Sequence, residues 1–459
     1  MLWAIIKKEF LNQILRSQFI FATAIILVLV VLGLGMLLQG YKEDLQTKKE
    51  SEAIHRSRML EANEFRDILR SFQVERPIAP LRPIATGVER DADPTIELGP
   101  RGVTGTVGSF DKNPIYALFP RVDLVFIIGV FLSLMVFLLS YDSISGERED
   151  GTLRLALSYD VPRDTFLLGK WIGGLLSFGV PLIAGFAAAA GMIISDPAVR
   201  FEATDWMAFL MILAISFIYL ALMHSVALFV SCRSEQSSTA ISVLLFVWVI
   251  FVLIVPNSMP YLAAILRPID PPATIQERVA AVWARVSRKF WDDVGKQRPQ
   301  RNDPNFDWGA WWSEREKQRD AEYAQERNAI IGPYKRERAE FSRLAQWLSR
   351  LSPLACYTYA ATRLAQTGPE QEPRMEESLE RLRLGLGKLE IELRARRVKA
   401  RSRDGERLNL DILPRFQFEW QGLGERIAAV GIDAALLVAG CVIFFLGTYV
   451  SFLRMDLVA

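Results

Sequence analysis

The chain has 459 residues, 51% of them hydrophobic and 23% charged, with a formal net charge of +2. So even a balance gives no strong overall field and argues against nucleic acid as a main partner. Three cysteines and two histidines, His55 and His224, speak against a disulfide framework and a histidine-based metal site.

Many apolar and many charged residues in one chain must be segregated along it. Trp3, Ile6, Phe10 and Ile14 recur at helical spacing, with Lys7, Lys8, Asn12 and Gln13 on other faces. Residues 1–17 therefore read as an amphipathic helix lying in the cytoplasmic interface, or as a plain extension of the first span. The run Phe19–Leu38 is longer than a signal-peptide core, with no clean small-x-small site after it, and reads as a signal-anchor span over 18–38. Residues 39–121 follow as an extracytoplasmic segment. It is polar and helical through about Gln73, then rich in proline and glycine from Arg76 to Phe119.

A membrane crossing needs roughly 20 apolar residues, because each backbone group in lipid must bond within its own helix. Leu124–Tyr141, Trp171–Ser195, Trp206–Val230, Ala240–Val255 and Ala434–Leu453 qualify, giving spans over 122–141, 167–195, 206–231, 239–257 and 429–453. Pro256, Asn257 and Pro260 end or kink the fifth, unless it runs on to Leu266. Positive charge collects beside the short loops, at Lys7, Lys8, Arg16, Arg148, Arg154, Arg163, Lys170, Arg233 and Arg454. Six spans then put both termini in the cytoplasm and residues 258–428 outside.

In that large outer segment Thr274–Gln297 and Ser313–Ser349 look helical and charged, whereas Lys388–Arg396 and Leu408–Ile412 alternate around Asp404-Gly405 as a short hairpin. Trp283, Trp291, Trp308, Trp311, Trp312 and Trp347 fill a core or interface, or form a docking surface. The fold class is mainly α: a polytopic membrane protein with six transmembrane helices, an N-terminal interfacial helix and a mostly helical extracytoplasmic domain.

Chemistry is sparse. Gly385–Lys388 lacks P-loop spacing and is followed by Leu389, so the chain holds no ATPase of its own. His224 in the fourth span reads as a neutral imidazole bonded to a neighbouring helix, ahead of a functional intramembrane ionisable group. Asp433 reads as a solvated or capping residue at the outer edge of the last span. No paired carboxylates or nucleophile–base pair mark a membrane enzyme.

The informative stretch is the loop over 142–166. Gly151 terminates a charged turn, Thr152 caps a short helix Leu153–Leu157, and Pro162 stops that helix or starts the next. Glu147, Arg148 and Glu149 stand exposed at its start, giving a rigid cytoplasmic knob or merely a capped connector.

Ser145-Gly-Glu-Arg, Gly151-Thr-Leu, Leu157-Ser, Pro162-Arg and Gly169-Lys170 resemble the signature loop of type-2 ABC transporter permeases, including those of the nitrous-oxide reductase maturation and gliding-motility export systems. More loosely, Ser352-Pro353, Thr362-Arg363-Leu364-Ala365 and Thr367-Gly368 resemble a subgroup with a large outer insertion before the last helix. The resemblance implies a non-enzymatic permease subunit in the inner membrane, exporting or extruding a lipid, peptide or protein-linked substrate. Its partners would be ABC ATPase subunits holding ATP and Mg, a second permease (identical or related), membrane lipids and an extracytoplasmic protein. Gly146, Glu147, Arg148, Gly151 and Thr152 would be its ATPase-coupling residues. The alternative is a non-transporting membrane scaffold or mechanotransmission protein whose outer domain binds an extracytoplasmic partner.

Overall fold

Among the described residues six helices are long and apolar enough to cross a membrane, and they organise the computed structural model. The structure describes residues 1–61, 68, 72–87, 94–99, 102–104, 122–158, 162–296, 307–395 and 412–455. Helix α1 is Leu2–Ile14 and α2 is Ser17–Glu61. Helix α3 starts as Leu124–Phe126, passes through a π-helical turn Ile127–Leu132 and ends as Ser133–Ser140. Two short helices follow, α4 (Ser145–Glu149) and α5 (Thr152–Ser158), then α6 (Arg163–Ser195) and α7 (Ala203–Arg233). Helix α8 covers Ser237–Leu266. Helices α9 (Pro272–Lys296), α10 (Trp308–Ser349), α11 (Pro353–Ala365), α12 (Gln371–Ala395) and α13 (Leu423–Leu453) complete the order. The mainly helical, six-span fold class is thus what the structure has.

Two units divide the chain, Met1–Pro256 with Ser352–Ala459, and Asn257–Leu351. In the first, α2 buries only a stripe, Phe19, Ile26, Val30, Leu34 and Leu38, and leaves Ile20, Phe21, Ile25, Leu32 and Met36 exposed. Such a surface suits hydrocarbon, where Leu and Ile carry no penalty. Association inside lipid rests on close packing and polar pairs rather than on apolar burial. The core shows both. Tyr219 of α7 and Tyr357 of α11 stack at 4.8 Å, 12° from parallel. Tyr219 Oη donates to the Gly129 carbonyl in the π turn of α3 at 2.8 Å, and Tyr357 Oη pairs with Ser216 Oγ at 2.9 Å.

Helix α11 is a core element, too short to span a bilayer, which needs roughly 20 residues. Ser352 caps it by accepting from Ala355 N at 3.3 Å, and Pro353 sits at its first position. It ends at Gln366, which adopts the left-handed conformation with φ +60°. Asp433 corrects the sequence reading: it is fully buried, not solvated, and pairs with Arg363 of α11, which also donates to the Ala429 carbonyl at 3.1 Å. A charged side chain low on an apolar helix looks like an interfacial anchor until its partner on another helix is known.

Three further expectations change. The fifth span continues through Pro256 and Pro260 to Leu266; a π-helical turn at Val249–Ile254 widens the helix before the prolines that cannot donate. Phe72–Glu75 is a strand, β1, and not the end of a polar helix. It pairs antiparallel with β2 (Thr95–Gly99), Phe72 opposite Leu98 and Val74 opposite Ile96, and β2 pairs with β3 (Gly102–Thr104). Phe72, Val74, Ile96 and Leu98 face Met375, Leu379, Leu382 and Leu386 of α12. That helical leucine spacing also explains why Lys388–Ala395 continues α12 instead of forming a strand. The rest of the expected hairpin, Asp404-Gly405 and Leu408 to Asp411, lies outside the described residues, as does most of the stretch from Arg76 to Phe119 beyond Gly87.

In the second unit α9 packs Val282 and Val286 against Tyr323 of α10. Trp283 meets Tyr323 edge-on at 5.2 Å, and Trp291, Trp308, Trp311 and Trp312 join Phe290 in one aromatic group. Trp291 and Trp347 keep over half of their surface exposed.

Removing one member of a buried ion pair leaves an uncompensated charge. Arg363→Leu and Asp433→Asn are each expected to cost about 3–5 kcal/mol, against a much smaller loss for the double variant. Burial raises the carboxyl pKa of nearby Glu370, outweighing the pull of Arg363, whose Nε lies 3.5 Å away. An acid with a raised folded-state pKa contributes stability below its unfolded value and loses it as pH rises through the folded one. Glu370→Gln is therefore expected to raise the thermal midpoint at neutral pH and to flatten the gain seen on mild acidification. Thermal unfolding in detergent across pH measures both effects; a lowered midpoint for Glu370→Gln at neutral pH would refute the second.

Candidate coupling site

The loop between α3 and α6 is seated by backbone capture. The amides of Ile144 and Ser145 both donate to Ser231 Oγ of α7, each at 3.0 Å. Ser145 Oγ donates back to the Tyr141 carbonyl at 2.9 Å, and Ser237 Oγ donates to Glu149 Oε2 at 2.5 Å. Ile144 and Leu153 are sunk in a core with Phe166, Leu167, Leu228, Cys232 and Phe452, so α4 and α5 rest on α6, α7 and α13 together. Arg163 at the start of α6 donates to the Leu453 carbonyl at 2.9 Å, satisfying a free group at the end of α13.

Gly151 stands between the two short helices at φ +70°, a conformation that favours glycine, and exposed. Thr152 does not cap α5 as expected. Its hydroxyl donates to the Glu147 carbonyl at 3.2 Å and so ties α5 back to α4. Gly146 lies against Asp142, whose carboxylate takes both oxygens' bonds from Arg16 Nη1, at 3.0 and 3.2 Å.

The largest correction concerns Glu147. Of Glu147, Arg148 and Glu149, only Glu149 is exposed. Glu147 turns inward, its Oε1 3.0 Å from Nζ of Lys170 on α6. Lys170 is 3% exposed and reaches Glu9 of α1 on its other side at 3.2 Å, above the ring of Phe166. Arg148 lies 4.0 Å from Glu235. Residues facing outward are Glu149, Asp150, Gly151, Thr152, Arg154 and Leu155, the last 61% exposed.

Helix α1 can close on α6 because Gly169 and Gly173 present no side chain. A Cβ at Gly169 would fall 2.6 Å from Ile5 Cγ2, and one at Gly173 2.7 Å from Glu9 Cβ. The protein-facing positions of α1 are thus Ile6, Glu9 and Gln13, while Trp3 is exposed. Glu9 and Lys170 escaped the sequence reading as site residues. The signal was present: Gly-Lys-x-x-Gly at the start of an apolar run, and an acid three residues from Ile6 on the same helical face. His224 is held as read, fully buried with Nδ1 2.9 Å from Ser140 Oγ of α3.

A family model described as ABC-2 family transporter protein matches residues 3–457. The chain belongs to the ABC-2 transporter family. Membership makes it a membrane-spanning component of an ABC transporter. It is also 33% identical over 123 residues to probable ABC transporter permease protein NosY of Pseudomonas aeruginosa, and 33% identical over 124 residues to the protein of that name in Stutzerimonas stutzeri. Each match covers 27% of this chain and 45% of the relative, so the chain spans about half the length of the curated relatives it matches.

In this ABC-2 protein Lys170→Met leaves Glu9 and Glu147 facing each other, an expected loss of about 3–5 kcal/mol. Gly151→Val forces a β-branched residue into the left-handed region, an expected loss of about 1–3 kcal/mol. Thermal unfolding of the purified variants measures both; a Lys170→Met midpoint equal to wild type would show that the carboxylates are solvated.

Proposed function

We propose that the chain is the permease subunit of an ATP-driven transporter, and that a separate ATPase subunit docks on and moves α4 and α5. The observation that supports this best is Leu155, an exposed leucine on a short helix whose opposite face is fixed in a core shared by three spans. A rigidly seated apolar knob among charges suits a groove on a soluble subunit. Gly146 and Gly151 shape the knob, Thr152 ties its helices together, and Arg148 lies near its rim. Glu147 acts from behind, holding the knob against Lys170. ATP and Mg belong to the partner ATPase.

The chain lies in the inner membrane with both termini and α4–α5 cytoplasmic, and with α9, α10 and α12 outside. Positive charge supports that orientation, since Lys8 lies near Glu147 of α4, Arg16 holds Asp142 just before it, and Arg163 reaches the Leu453 carbonyl at the same end of the bundle. A second permease, identical or related, completes the path for an exported lipid, peptide or protein-linked substrate. Force transmission to an extracytoplasmic protein is the second reading, favoured by α2 running unbroken from Ser17 to Glu61.

Copurification tests the docking face. Leu155→Asp is expected to lose most of the ATPase subunit while keeping the wild-type thermal midpoint, because an exposed change barely touches stability. Glu147→Lys, beside a buried Lys170, is expected to lower that midpoint as well. Full ATPase content in Leu155→Asp would sink the assignment of this face. In intact cells a cysteine at Glu337 should react with an impermeant maleimide, and one at Asp150 only after permeabilisation; the reverse pattern would invert the topology.

A further inference from the structure

We propose that Lys170 is a positioning residue that clamps α4 to α1 and α6, so that displacement of α4 carries α1 with it. The proposal rests on the reading of α4 and α5 as the surface a separate ATPase moves. Three elements far apart in sequence meet at one ammonium group: Glu9 at 3.2 Å, Glu147 at 3.0 Å, and Lys170 itself at the start of α6. Lys8 lies 3.9 Å from the same Glu147 oxygen, a second link from α1 to α4.

The arrangement is directional in a way an apolar contact is not. Side chains in an apolar seam can slide and keep most of their attraction. A lysine 3% exposed between two carboxylates cannot lose one of them without leaving a poorly solvated charge behind. Movement of α4 alone would strip Glu147 from Lys170, so the joint motion of α4 and α1 is the cheaper one. The glycines act in the same sense. With Gly169 and Gly173 facing Ile5 and Glu9, α1 packs directly on the backbone of α6, and the two helices share one close contact.

The charges can be removed together to avoid stranding one. Glu9→Gln/Glu147→Gln/Lys170→Met keeps the shape of the cluster and deletes the clamp. Spin labels on cysteines at Lys7 and Asp150, with Cys232, Cys356 and Cys441 replaced by alanine, report the α1–α4 distance in the full permease–ATPase complex. Labels on cysteines at Asp150 and at Gly422, beyond the far end of α13, report whether ATP moves α4. The expected result with intact charges is a single α1–α4 distance, unchanged by ATP. In the triple variant ATP should split it into two populations. A purely stabilising triad would lower the thermal midpoint and leave the distance insensitive to ATP. A single ATP-insensitive distance in the triple variant, or an ATP-dependent one with the charges intact, overturns the clamp and leaves the docking face standing. If the ATPase is absent from the wild-type complex, or ATP leaves α4 unmoved, the docking reading falls and the clamp with it.

Discussion

Hydrocarbon offers no partner to a polar group, and that constraint shapes the protein. Backbone groups are satisfied within long helices, and polar side chains among them bond either back to their own helix, as Ser177 and Thr448 do, or across to a neighbour. The structure shows these partners one by one. His224 meets Ser140, Trp171 Nε1 donates to Ser225 Oγ at 2.9 Å, and Trp248 Nε1 donates to Ser133 Oγ at 3.0 Å. Each pair joins two different helices, so satisfying a polar group also fixes how neighbouring spans pack. Where apolar burial adds little between helices already in lipid, such pairs and the close approaches at glycine specify the arrangement.

Among the described residues, the buried ion pairs of the bundle fall at its two ends. At one end Lys170 lies between Glu9 and Glu147 and Arg16 holds Asp142. At the other, Arg363 holds Asp433, and Arg426 lies 3.7 Å from Asp205 while donating to the Gln421 carbonyl at 3.0 Å. Helices α6, α7 and α13 run between these ends, so a change in one network can reach the other through continuous helix without any rearrangement in the middle. The short α11 plugs the second end through Tyr357 and Arg363, and it comes from a part of the chain that composition alone assigns to the outside.

The sequence made visible what repeats over many residues. Apolar runs of membrane length marked the six spans, and the loop motif near Gly146 and Gly151 marked the family that the whole-chain match then showed. Hidden were properties that depend on a distant partner. Glu147 looked exposed because its lysine lies 23 positions on, with a turn and a short helix between. Asp433 looked solvated because Arg363 sits on another helix, and α11 looked like part of an outer domain because its core neighbours Tyr219 and Gly129 are far away in the chain. The Lys388–Ala395 strand failed differently: a few alternating residues carry less information than the leucine period of the helix to which they belong.

Helix α2 has a mechanical consequence. Its polar part after Leu38 extends about 35 Å at ~1.5 Å per residue, as one rod with the membrane-crossing part. Near its far end, His55 pairs with Glu75 at the end of β1. A rod of that length is a lever arm. Tilting it by about 10° within the bilayer sweeps the tip through about 6 Å, more than a full turn of helix rises. The small sheet is therefore placed where a modest change of helix angle is greatest in amplitude, and its position is a gauge of that angle.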